Sequence, residues 1–593
     1  MRLFSTPPLI EFRPSVNTCS VCGGALKVQK TRPRIVTTLH IGTFYAREVI
    51  LVCHACGCQH RSEQLCNLVP PGANFGYDVL VYVGKALYIT HRSEEEVVAE
   101  LGQKNIKISP RGVSSLGRKF ITYLAIAHDR SSNDITEAMR LRGGYVFHLD
   151  ATCEGRDPIL MSGLDSISHI VLGNVKLPAE DEKHIAPFLQ RMKKSFGMPV
   201  ALVHDMGRGI LKAVAEVFPE VPDFICHFHF LRDIGKDLLG DHYDIIRKRL
   251  SKHQVSSKLR YRAKQIKQAT DQCPELIDLL EAGIEDNLLP TVSLESLDDL
   301  NVYTLIKWTL EGKSQGDGYG FPFDRLHLSF AKRIRQLHTH VVGLKKSHRQ
   351  THNHKPTVKI QGDLKKIIKD KVLWNAVDEL EKRIIVFERL RKAMRIAPAS
   401  GRYGLNDEGC KIDIRTVEYR VKKFRTWLTS RKDYSKNHDA QKMIAQINKY
   451  WKKLFADPVT VQTASGTIEI QPQRTNNILE QFFRNLKRGN RRKTGNKSCG
   501  RMLRTMLAET PLVKNLQNPN YMKILLKEKT SLAEVFAGIE IEILREELRK
   551  AQSNPEEIPL KIKRLIAMPD YPEKLMKMVE RAVTLSQSNQ VVR

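Results

Sequence analysis

Residues 145–150 read Tyr-Val-Phe-His-Leu-Asp, and residues 200–205 read Val-Ala-Leu-Val-His-Asp. Each stretch is a short apolar run that ends on an aspartate, which is the pattern of a buried β-strand followed by a turn. Open α/β sheets generally place their ligands outside the carboxyl ends of the strands. The two stretches therefore predict neighbouring strands that present Asp150 and Asp205 at one edge of a sheet. An aspartate at a strand end is also a common turn former, so the pair needs a third partner before it defines a site.

The sequence around these two stretches alternates between strand-like and helix-like patterns. Further strands are expected at residues 159–161, 169–172 and 223–226, and helices at residues 181–196 and 208–217. The order strand, strand, strand, helix, strand, helix, strand predicts an α/β domain with a mixed sheet.

A long helical region follows this α/β pattern. From residue 231 to about residue 457 the sequence is helical and polar, with a break at residues 311–323. A sheet-like pattern returns at residues 459–470, and a new helix is expected to open near residues 475–480. These patterns predict a helical domain inserted within the α/β domain.

Two close pairs of cysteines lie near the N-terminus and flank strand-like runs at residues 35–38 and 48–52. The paired residues are Cys19, Cys22, Cys53 and Cys56. Thiolates offered by two tight turns can meet at tetrahedral Zn²⁺ distances, so the arrangement predicts a zinc ribbon with these four ligands. Cys58 or His60 could replace one ligand, and a set of buried free thiols is the alternative interpretation. Close pairs among few cysteines favour metal binding in a reducing compartment.

Residues 75–127 have the pattern of short helices, with Ser93 and Ser109 as expected N-caps. This pattern predicts a helix-turn-helix whose last helix enters the major groove of DNA. The residues of that helix expected to contact DNA are Arg111, Ser114, Arg118 and Lys119. An ordinary helical linker with a solvated basic face is the alternative.

The composition favours a polyanionic partner. The chain has 593 residues, with 96 Lys plus Arg against 65 Asp plus Glu, and its formal net charge is +31. Nucleic acid is the leading candidate for such a partner. No run of about 18 or more apolar residues occurs, so we expect no membrane association. The length predicts three to five domains.

Four features in a fixed order resemble the ribonuclease H-like DDE transposases. They are the Asp150 strand, the Asp205 strand, Cys226-His-Phe-His229, and Thr475-Asn-Asn-x2-Glu480-x6-Lys487-x3-Arg491-x3-Gly495. The chain is most similar to the transposases with a large helical insertion before the glutamate, such as Mutator-like and hAT-like elements and related bacterial insertion sequences. The resemblance covers about residues 145–504.

The resemblance implies that Asp150, Asp205 and Glu480 form a carboxylate triad that holds Mg²⁺ or Mn²⁺. It implies a transposase that binds the ends of a mobile element and catalyses metal-dependent cleavage and strand transfer of double-stranded DNA. Such a protein is expected to act as a homodimer or larger assembly on DNA, in the cytoplasm and at the nucleoid of a bacterial host. A catalytically silent DNA-binding regulator and a nuclease of the same fold are the alternatives.

Other residues have less certain roles. For Cys226 and His229 a structural role is favoured over contact with DNA or metal, and for Trp308 core packing is favoured over stacking on a flipped base. A basic cluster follows Glu480 and is expected to contact phosphates, with a solvated basic face as the alternative. Its members are Arg484, Lys487, Arg488, Arg491, Arg492 and Lys493.

The expected fold class is a multidomain α+β protein in which an all-α insertion interrupts a ribonuclease H-like mixed α/β core. The expected domains are a zinc ribbon (1–68), a helix-turn-helix region (69–135), the first part of the core (140–235), the helical insertion (236–457), the second part of the core (458–527) and a helical C-terminal tail (528–593).

Overall fold

The computed structural model describes residues 6–270, 281, 294–316, 318–347, 355–396, 414–455, 458–463, 466–552 and 560–590. The chain is a mixed α/β, mostly helical, multidomain protein. It divides into two compact units, one formed by residues 1–131 and 522–593 and the other by residues 132–521.

Eleven strands form three sheets in the described residues. They are β1 (Leu9–Phe12), β2 (Leu26–Thr38), β3 (Gly42–Cys53), β4 (Gln59–His60), β5 (Val146–Thr152), β6 (Ile159–Asp165), β7 (Val171–Leu177), β8 (Ala201–His204), β9 (Asp223–Ile225), β10 (Val459–Thr463) and β11 (Gly466–Ile470).

The first nine helices are α1 (Glu63–Leu68), α2 (Tyr77–Tyr88), α3 (Glu94–Gln103), α4 (Pro110–Arg130), α5 (Ser132–Arg140), α6 (Glu182–Phe196), α7 (Arg208–Val217), α8 (His227–Lys252) and α9 (Val255–Thr270). The later α-helices are Leu294–Glu311, Leu326–Ser347, Lys355–Ile368, Lys371–Ala393, Ile414–Thr429, His438–Lys449, Trp451–Leu454, Asn477–Thr494, Gly500–Thr505, Pro519–Leu526, Leu532–Ala537, Ile541–Gln552, Leu560–Ile566 and Tyr571–Gln590. None of the helices in the described residues is long and apolar enough to cross a membrane.

The sheet of the first unit is built on an antiparallel hairpin of β2 and β3. The sequence predicted only the ends of these strands, because the first half of β2 is polar and solvent-exposed and has no apolar alternation. β1 pairs with β3 in parallel, and β4 pairs with β3 in the antiparallel sense. One face of the sheet buries Phe44 and Ala46 against Leu65 and Val69.

Helices α3 and α4 begin at the expected caps. Ser93 and Glu96 form a capping box at the start of α3, and the Ser109 hydroxyl accepts a hydrogen bond from Gly112 N at the start of α4. α2 and α4 cross closely, since a Cβ added at Gly84 would lie 2.1 Å from the ring of Phe120. The two predicted N-caps are confirmed.

C-terminal residues complete this helical cluster within the first unit. The ring of Phe536 lies 5.1 Å from that of Tyr123 and 5.8 Å from that of Phe120, measured between centroids. Arg130 Nη1 donates to the Gly538 carbonyl at 3.0 Å. Part of the segment predicted as a tail therefore supplies core residues to the predicted helix-turn-helix region.

The second unit contains a five-stranded sheet with the order β7-β6-β5-β8-β9. β6 is antiparallel to both β5 and β7, whereas β8 runs parallel to β5 and β9 runs parallel to β8. All five strands were expected from the sequence, and α6 and α7 lie at the predicted positions. The mixed sheet is confirmed.

The two faces of this sheet are covered differently. Val146, Ala201 and Val203 lie on one face and pack with Ile470 of the hairpin formed by β10 and β11. On β7, a Cβ added at Gly173 would touch Met192 of α6 at 2.6 Å, so α6 packs very closely there. The sheet-like pattern at residues 459–470 thus forms a separate hairpin and adds no strand to the sheet.

Helices from α8 to Trp451–Leu454 share one hydrophobic core. Asp370, which caps the helix Lys371–Ala393, accepts hydrogen bonds from Arg249 at 2.8 and 2.9 Å and pairs with His253 at 2.7 Å. Burial acts to raise the pKa of Asp370, but these partners outweigh it and hold the pKa well below its usual range. The carboxylate therefore ties α8 to a helix more than a hundred residues later in the chain.

Candidate functional site: a carboxylate cluster and a cysteine cluster

The register of β5 and β8 brings Asp150 and Asp205 together. Val146 pairs with Ala201 and His148 pairs with Val203, and Asp150 and Asp205 each lie two positions beyond the second pair. Neighbouring strands are about 4.8 Å apart, and residues at equivalent positions of parallel strands point to the same face. Both aspartates therefore occupy one end of the face that carries Ile470.

The helix Asn477–Thr494, called the Glu480 helix below, begins beside the same strand. His148 Nδ1 and Asn476 Oδ1 are 2.9 Å apart, and Asn476 Nδ2 donates to the Leu149 carbonyl at 2.7 Å. From the His148–Asn476 contact, Asp150 lies about 7 Å along the strand and Glu480 about 6 Å along the helix. The predicted helix opening is confirmed, and Glu480 is brought to the aspartates from a region 275 positions beyond Asp205.

The electrostatic influence of these acids on one another supports this convergence. Asp150 is only 6% exposed, and burial raises the pKa of its carboxyl group well above the usual range. The charges of Asp205 and Glu480 raise the same pKa further, while Arg232 lowers it. A buried carboxylate that faces two others is stable in the charged form only when a cation compensates it.

Three charged residues at the site were missed by the sequence analysis. Arg232 lies on α8, and its buried Nε has no hydrogen-bond partner among the described residues. Glu180 and Asp233 both have a raised pKa, chiefly because of burial and in part because of the charge of Asp205. A Cβ added at Gly207 would lie 3.1 Å from Asp205 Oδ1 and 3.3 Å from Glu180 Oε1, so a side chain at this position would crowd both carboxylates.

The donor set suits a hard divalent cation, since Mg²⁺ and Mn²⁺ prefer carboxylate oxygens. Yet among the described residues only the N-terminal cysteines bring three or more His, Cys, Asp or Glu ligand atoms within 4.8 Å of one another. The triad is therefore more open than a site for a single ion.

The four cysteines Cys19, Cys22, Cys53 and Cys56 form the second cluster, which can hold a metal such as zinc. Two contacts have short Sγ–Sγ distances, 3.5 Å for Cys19–Cys56 and 3.4 Å for Cys22–Cys53. Thiolates on a tetrahedral zinc lie about 3.8 Å apart, given Zn–S bonds of about 2.3 Å, whereas a disulfide brings the two atoms to about 2.05 Å. The four cysteines form no disulfide, and their Sγ–Sγ distances are close to the separation expected for two thiolates on one zinc ion.

Two turns with the same hydrogen-bond pattern present these thiols. Gly23 N donates to the Cys19 carbonyl and Gly57 N to the Cys53 carbonyl, at 2.8 and 2.9 Å, and both glycines have φ between 70° and 74°. Backbone hydrogen bonds from Val21 and Cys22 lower the pKa of Cys19 to about 5, which favours the thiolate. The pKa of Cys22 shifts the other way: a backbone hydrogen bond from Gly24 lowers it, but the thiols of Cys53 and Cys56 outweigh this and raise it to about 12. The turn therefore favours the thiolate at Cys19 in particular.

Neither alternative ligand belongs to this cluster. His60 Nε2 lies 3.4 Å from Cys19 Sγ, at the distance of a hydrogen bond, and Cys58 uses its carbonyl to accept a hydrogen bond from Cys53 N. The predicted set of four cysteines is therefore the set that the structure brings together.

Cys226 and His229 lie at the start of α8 and contact the beginning of the Glu480 helix. Asn476 N donates to Cys226 Sγ at 3.2 Å, and His229 Nε2 is 3.9 Å from Glu480 Oε1. Burial lowers the pKa of His229 to about 3, so the imidazole is neutral near pH 7. The structural role that the sequence favours for the pair stays a prediction.

The predicted phosphate-contacting residues divide between two sides of the Glu480 helix. At about 100° per residue, Arg484, Lys487, Arg488 and Arg491 fall within about 80° of Glu480, whereas Lys493 lies on the opposite side. Arg492 lies about 120° from Glu480. Arg484, Arg488, Arg491 and Arg492 are exposed, and the structure pairs none of them with an acid among the described residues. The basic face therefore extends directly from the carboxylate cluster.

The predicted contacts on α4 also differ in availability. Arg111 and Arg118 are exposed and Lys119 is half-buried, but the Ser114 hydroxyl donates to Glu94 Oε1 at 3.2 Å. The interaction with α3 occupies the Ser114 hydroxyl, and the sequence analysis did not foresee it.

The expectation that Trp308 packs into the core is wrong. Its side chain is 37% exposed, and the guanidinium of Arg333 lies 4.4 Å from its ring. An arginine on the helix Leu326–Ser347 covers the indole in place of apolar side chains, since cation–π stacking stabilises a half-exposed ring.

Comparison with known proteins does not assign the chain to a family. No protein-family model matches it, and no curated protein shows significant similarity to it.

Proposed function

We propose that this protein is a transposase of the DDE type, with a ribonuclease H-like core that cuts and joins double-stranded DNA. The observation that carries the proposal is the convergence of Asp150, Asp205 and Glu480 at one end of a mixed sheet. Asp150 on β5 and Asp205 directly after β8 stand at equivalent positions of two neighbouring parallel strands, and Glu480 arrives on a helix that begins beside Asp150's strand. A sheet of this order with an inserted helical region supports a ribonuclease H-like assignment.

The chain's own residues would hold two Mg²⁺ or Mn²⁺ ions. Asp150 interacts electrostatically with both Asp205 and Glu480, and the three carboxylates together would hold the ions. Bound there, such ions supply an activated oxygen nucleophile, stabilise the leaving oxygen and screen the charge of the scissile phosphate.

Arg232 is proposed to act through its positive charge and its N–H donors, not as a metal ligand. Its charge already acts on Asp150, and its buried Nε is unpaired among the described residues. We expect it to limit repulsion among the acids before cations bind and to offer a donor to a phosphate oxygen afterwards.

The basic face of the Glu480 helix gives the DNA a path to the site. Arg484, Lys487, Arg488 and Arg491 follow Glu480 over about 16 Å of helix. Phosphate contacts along this length release counterions and give affinity that does not depend on sequence. In the first unit, a zinc ribbon and a helix-turn-helix with Arg111 and Arg118 exposed on α4 would recognise the ends of the mobile element.

A joining assay tests the proposal. The purified protein is incubated with Mn²⁺, a supercoiled plasmid and labelled duplexes copied from the DNA that flanks the gene. We expect Asp205→Asn and Glu480→Gln to reduce labelled joined product to background while duplex binding persists, and Glu137→Gln, at an exposed ion pair, to change nothing.

Each outcome identifies a different function. If Glu480→Gln joins DNA as efficiently as the wild-type protein, the assignment of Glu480 to the triad is wrong. Cutting without joining would identify a nuclease, and duplex binding without metal-dependent cutting would identify a DNA-binding regulator.

A further inference from the structure

The amide of Asn476 is completely buried at the point where the chain returns from the helical insertion. Its exposed fraction is 0%, and both atoms of its amide are used. Nδ2 donates to the Leu149 carbonyl at 2.7 Å, and Oδ1 accepts from His148 Nδ1 at 2.9 Å. These two partners are the residues immediately before Asp150 on β5.

The side chain of Asn476 makes these contacts instead of capping the helix that begins after it. It is the N-cap residue of the Glu480 helix, but its side chain accepts no hydrogen bond from that helix. An N-cap asparagine normally stabilises its helix through that bond. The local sequence Thr475-Asn476-Asn477 therefore predicts capping, and the structure uses the amide to hold a strand instead.

The backbone of Asn476 forms hydrogen bonds with Cys226 and with Glu480. Its N–H donates to Cys226 Sγ at 3.2 Å, and its carbonyl accepts from Glu480 N at 2.9 Å. Cys226 directly follows β9, the strand beside Asp205's strand. One residue thus contacts the segments that carry or adjoin all three acids.

We propose that Asn476 is a positioning residue that fixes Glu480 relative to Asp150 so that the two carboxylates can share a pair of divalent cations. This inference rests on the proposed function. A helix advances about 1.5 Å and turns about 100° per residue, so a slip of one residue at Asn476 would turn Glu480 away from the aspartates. Hydrogen bonds to two consecutive residues of β5 prevent that slip.

The chain offers a matched control in Asn515, a second asparagine with 0% exposure. Its Oδ1 accepts from Val171 N and its Nδ2 donates to the Val171 carbonyl, both at 2.8 Å. It ties a 3₁₀ segment to β7, two strands away from β5. Replacing either asparagine removes two buried hydrogen bonds to a strand, but only Asn476 is next to the carboxylates.

The test measures Mn²⁺ affinity by titration calorimetry without DNA, together with the melting temperature, in the full-length protein. We expect Asn476→Ala to weaken Mn²⁺ binding by about 10- to 100-fold, the range found when residues that orient metal ligands are replaced. Asn515→Ala should lower the melting temperature by a similar amount and leave Mn²⁺ affinity within twofold of wild type. Equal Mn²⁺ affinities in the two variants would overturn the inference.

Substitution of Cys226 gives an independent test if Asn476→Ala does not fold. Cys226→Ala removes the acceptor for Asn476 N, and Cys226→Ser restores one, so Mn²⁺ affinity should fall in the first and recover in the second. Identical affinities in both would count against the inference. If the wild-type protein shows no Mn²⁺ binding, or binding that does not change in Asp150→Asn, the proposed function fails as well. If Mn²⁺ binding depends on Asp150 but not on Asn476, only the present inference fails.

Discussion

Asp150→Asn should make the metal-free protein more stable and should abolish its stabilisation by Mn²⁺. The reason is the burial of Asp150, which, with the charges of Asp205 and Glu480, raises its pKa in the folded state. A carboxyl group with a raised folded pKa contributes its full stability below the unfolded pKa and loses it as the pH rises through the folded pKa. Asparagine cannot ionise, so the advantage of the variant should increase as the pH is raised from 4 to 8.

The size of the metal effect follows from the size of the second unit. Residues 132–521 form a unit of about 390 residues, whose unfolding entropy at about 2.1 cal/mol/K per residue is about 0.8 kcal/mol/K. A ligand at a hundredfold excess over its Kd stabilises the folded state by about 2.7 kcal/mol. Wild-type protein should therefore melt about 3 °C higher in saturating Mn²⁺ than in a chelator.

Differential scanning calorimetry of wild type, Asp150→Asn and the control Asp378→Asn measures both effects. Asp378 is exposed on the helix Lys371–Ala393 and should behave as wild type. The reasoning is refuted if Asp150→Asn keeps the Mn²⁺ shift, or if it melts lower than wild type in the chelator at pH 8.

Three further predictions concern other parts of the chain. Cys53→Ser should lower bound zinc from about one per chain to near zero by elemental analysis, whereas Cys153→Ser, an exposed cysteine outside the cluster, should retain it. Arg491→Ala should reduce the slope of log affinity for duplex DNA against log salt by about 1, and Lys493→Ala should leave it unchanged, because only Arg491 shares the face of Glu480. Asp370→Asn should cost about 1.5 to 3 kcal/mol in urea unfolding at pH 7, because it weakens the charge-assisted hydrogen bonds from Arg249, whose side chain is 31% exposed. The difference between Asp370→Asn and wild type should shrink as the pH falls through the depressed pKa of Asp370.

Local patterns were sufficient to predict most elements of the sheet and the candidate carboxylates. Helix α7 has the predicted bounds, and α6 begins one residue after its predicted start because Asp181 is its cap. A strand that ends on an aspartate is recognised from a few consecutive residues, so it can be predicted from a single sequence. The four cysteines predicted as zinc ligands do lie together. They could be predicted because each pair is separated by only two residues, within one turn.

Residues whose roles depend on distant partners could not be predicted. Arg232 appears in the sequence as one of many basic residues on a helix, and only the fold places its charge next to Asp150. Phe536 lies in a charged, uninformative segment, yet it stacks on Tyr123, more than 400 positions earlier. Trp308 was assigned to the core because aromatic residues are usually buried, and no local signal pointed to Arg333.

The distance between Asp205 and Glu480 in the sequence is bridged by contacts at the two ends of the insertion. His227 N, at the start of α8, donates to the Arg474 carbonyl at 2.9 Å, and His227 Nε2 lies 2.8 Å from the Leu454 carbonyl. The chain therefore leaves the α/β region and returns to it at the same place. The entropy of closing a loop grows only with the logarithm of its length, so a long excursion costs little more than a short one. The interior of the insertion also contributes, because Arg474 donates hydrogen bonds to the carbonyls of Met394 and Arg395 at 2.6 and 3.1 Å. The position of Glu480 is accordingly set by the residues where the insertion begins and ends together with this contact inside it.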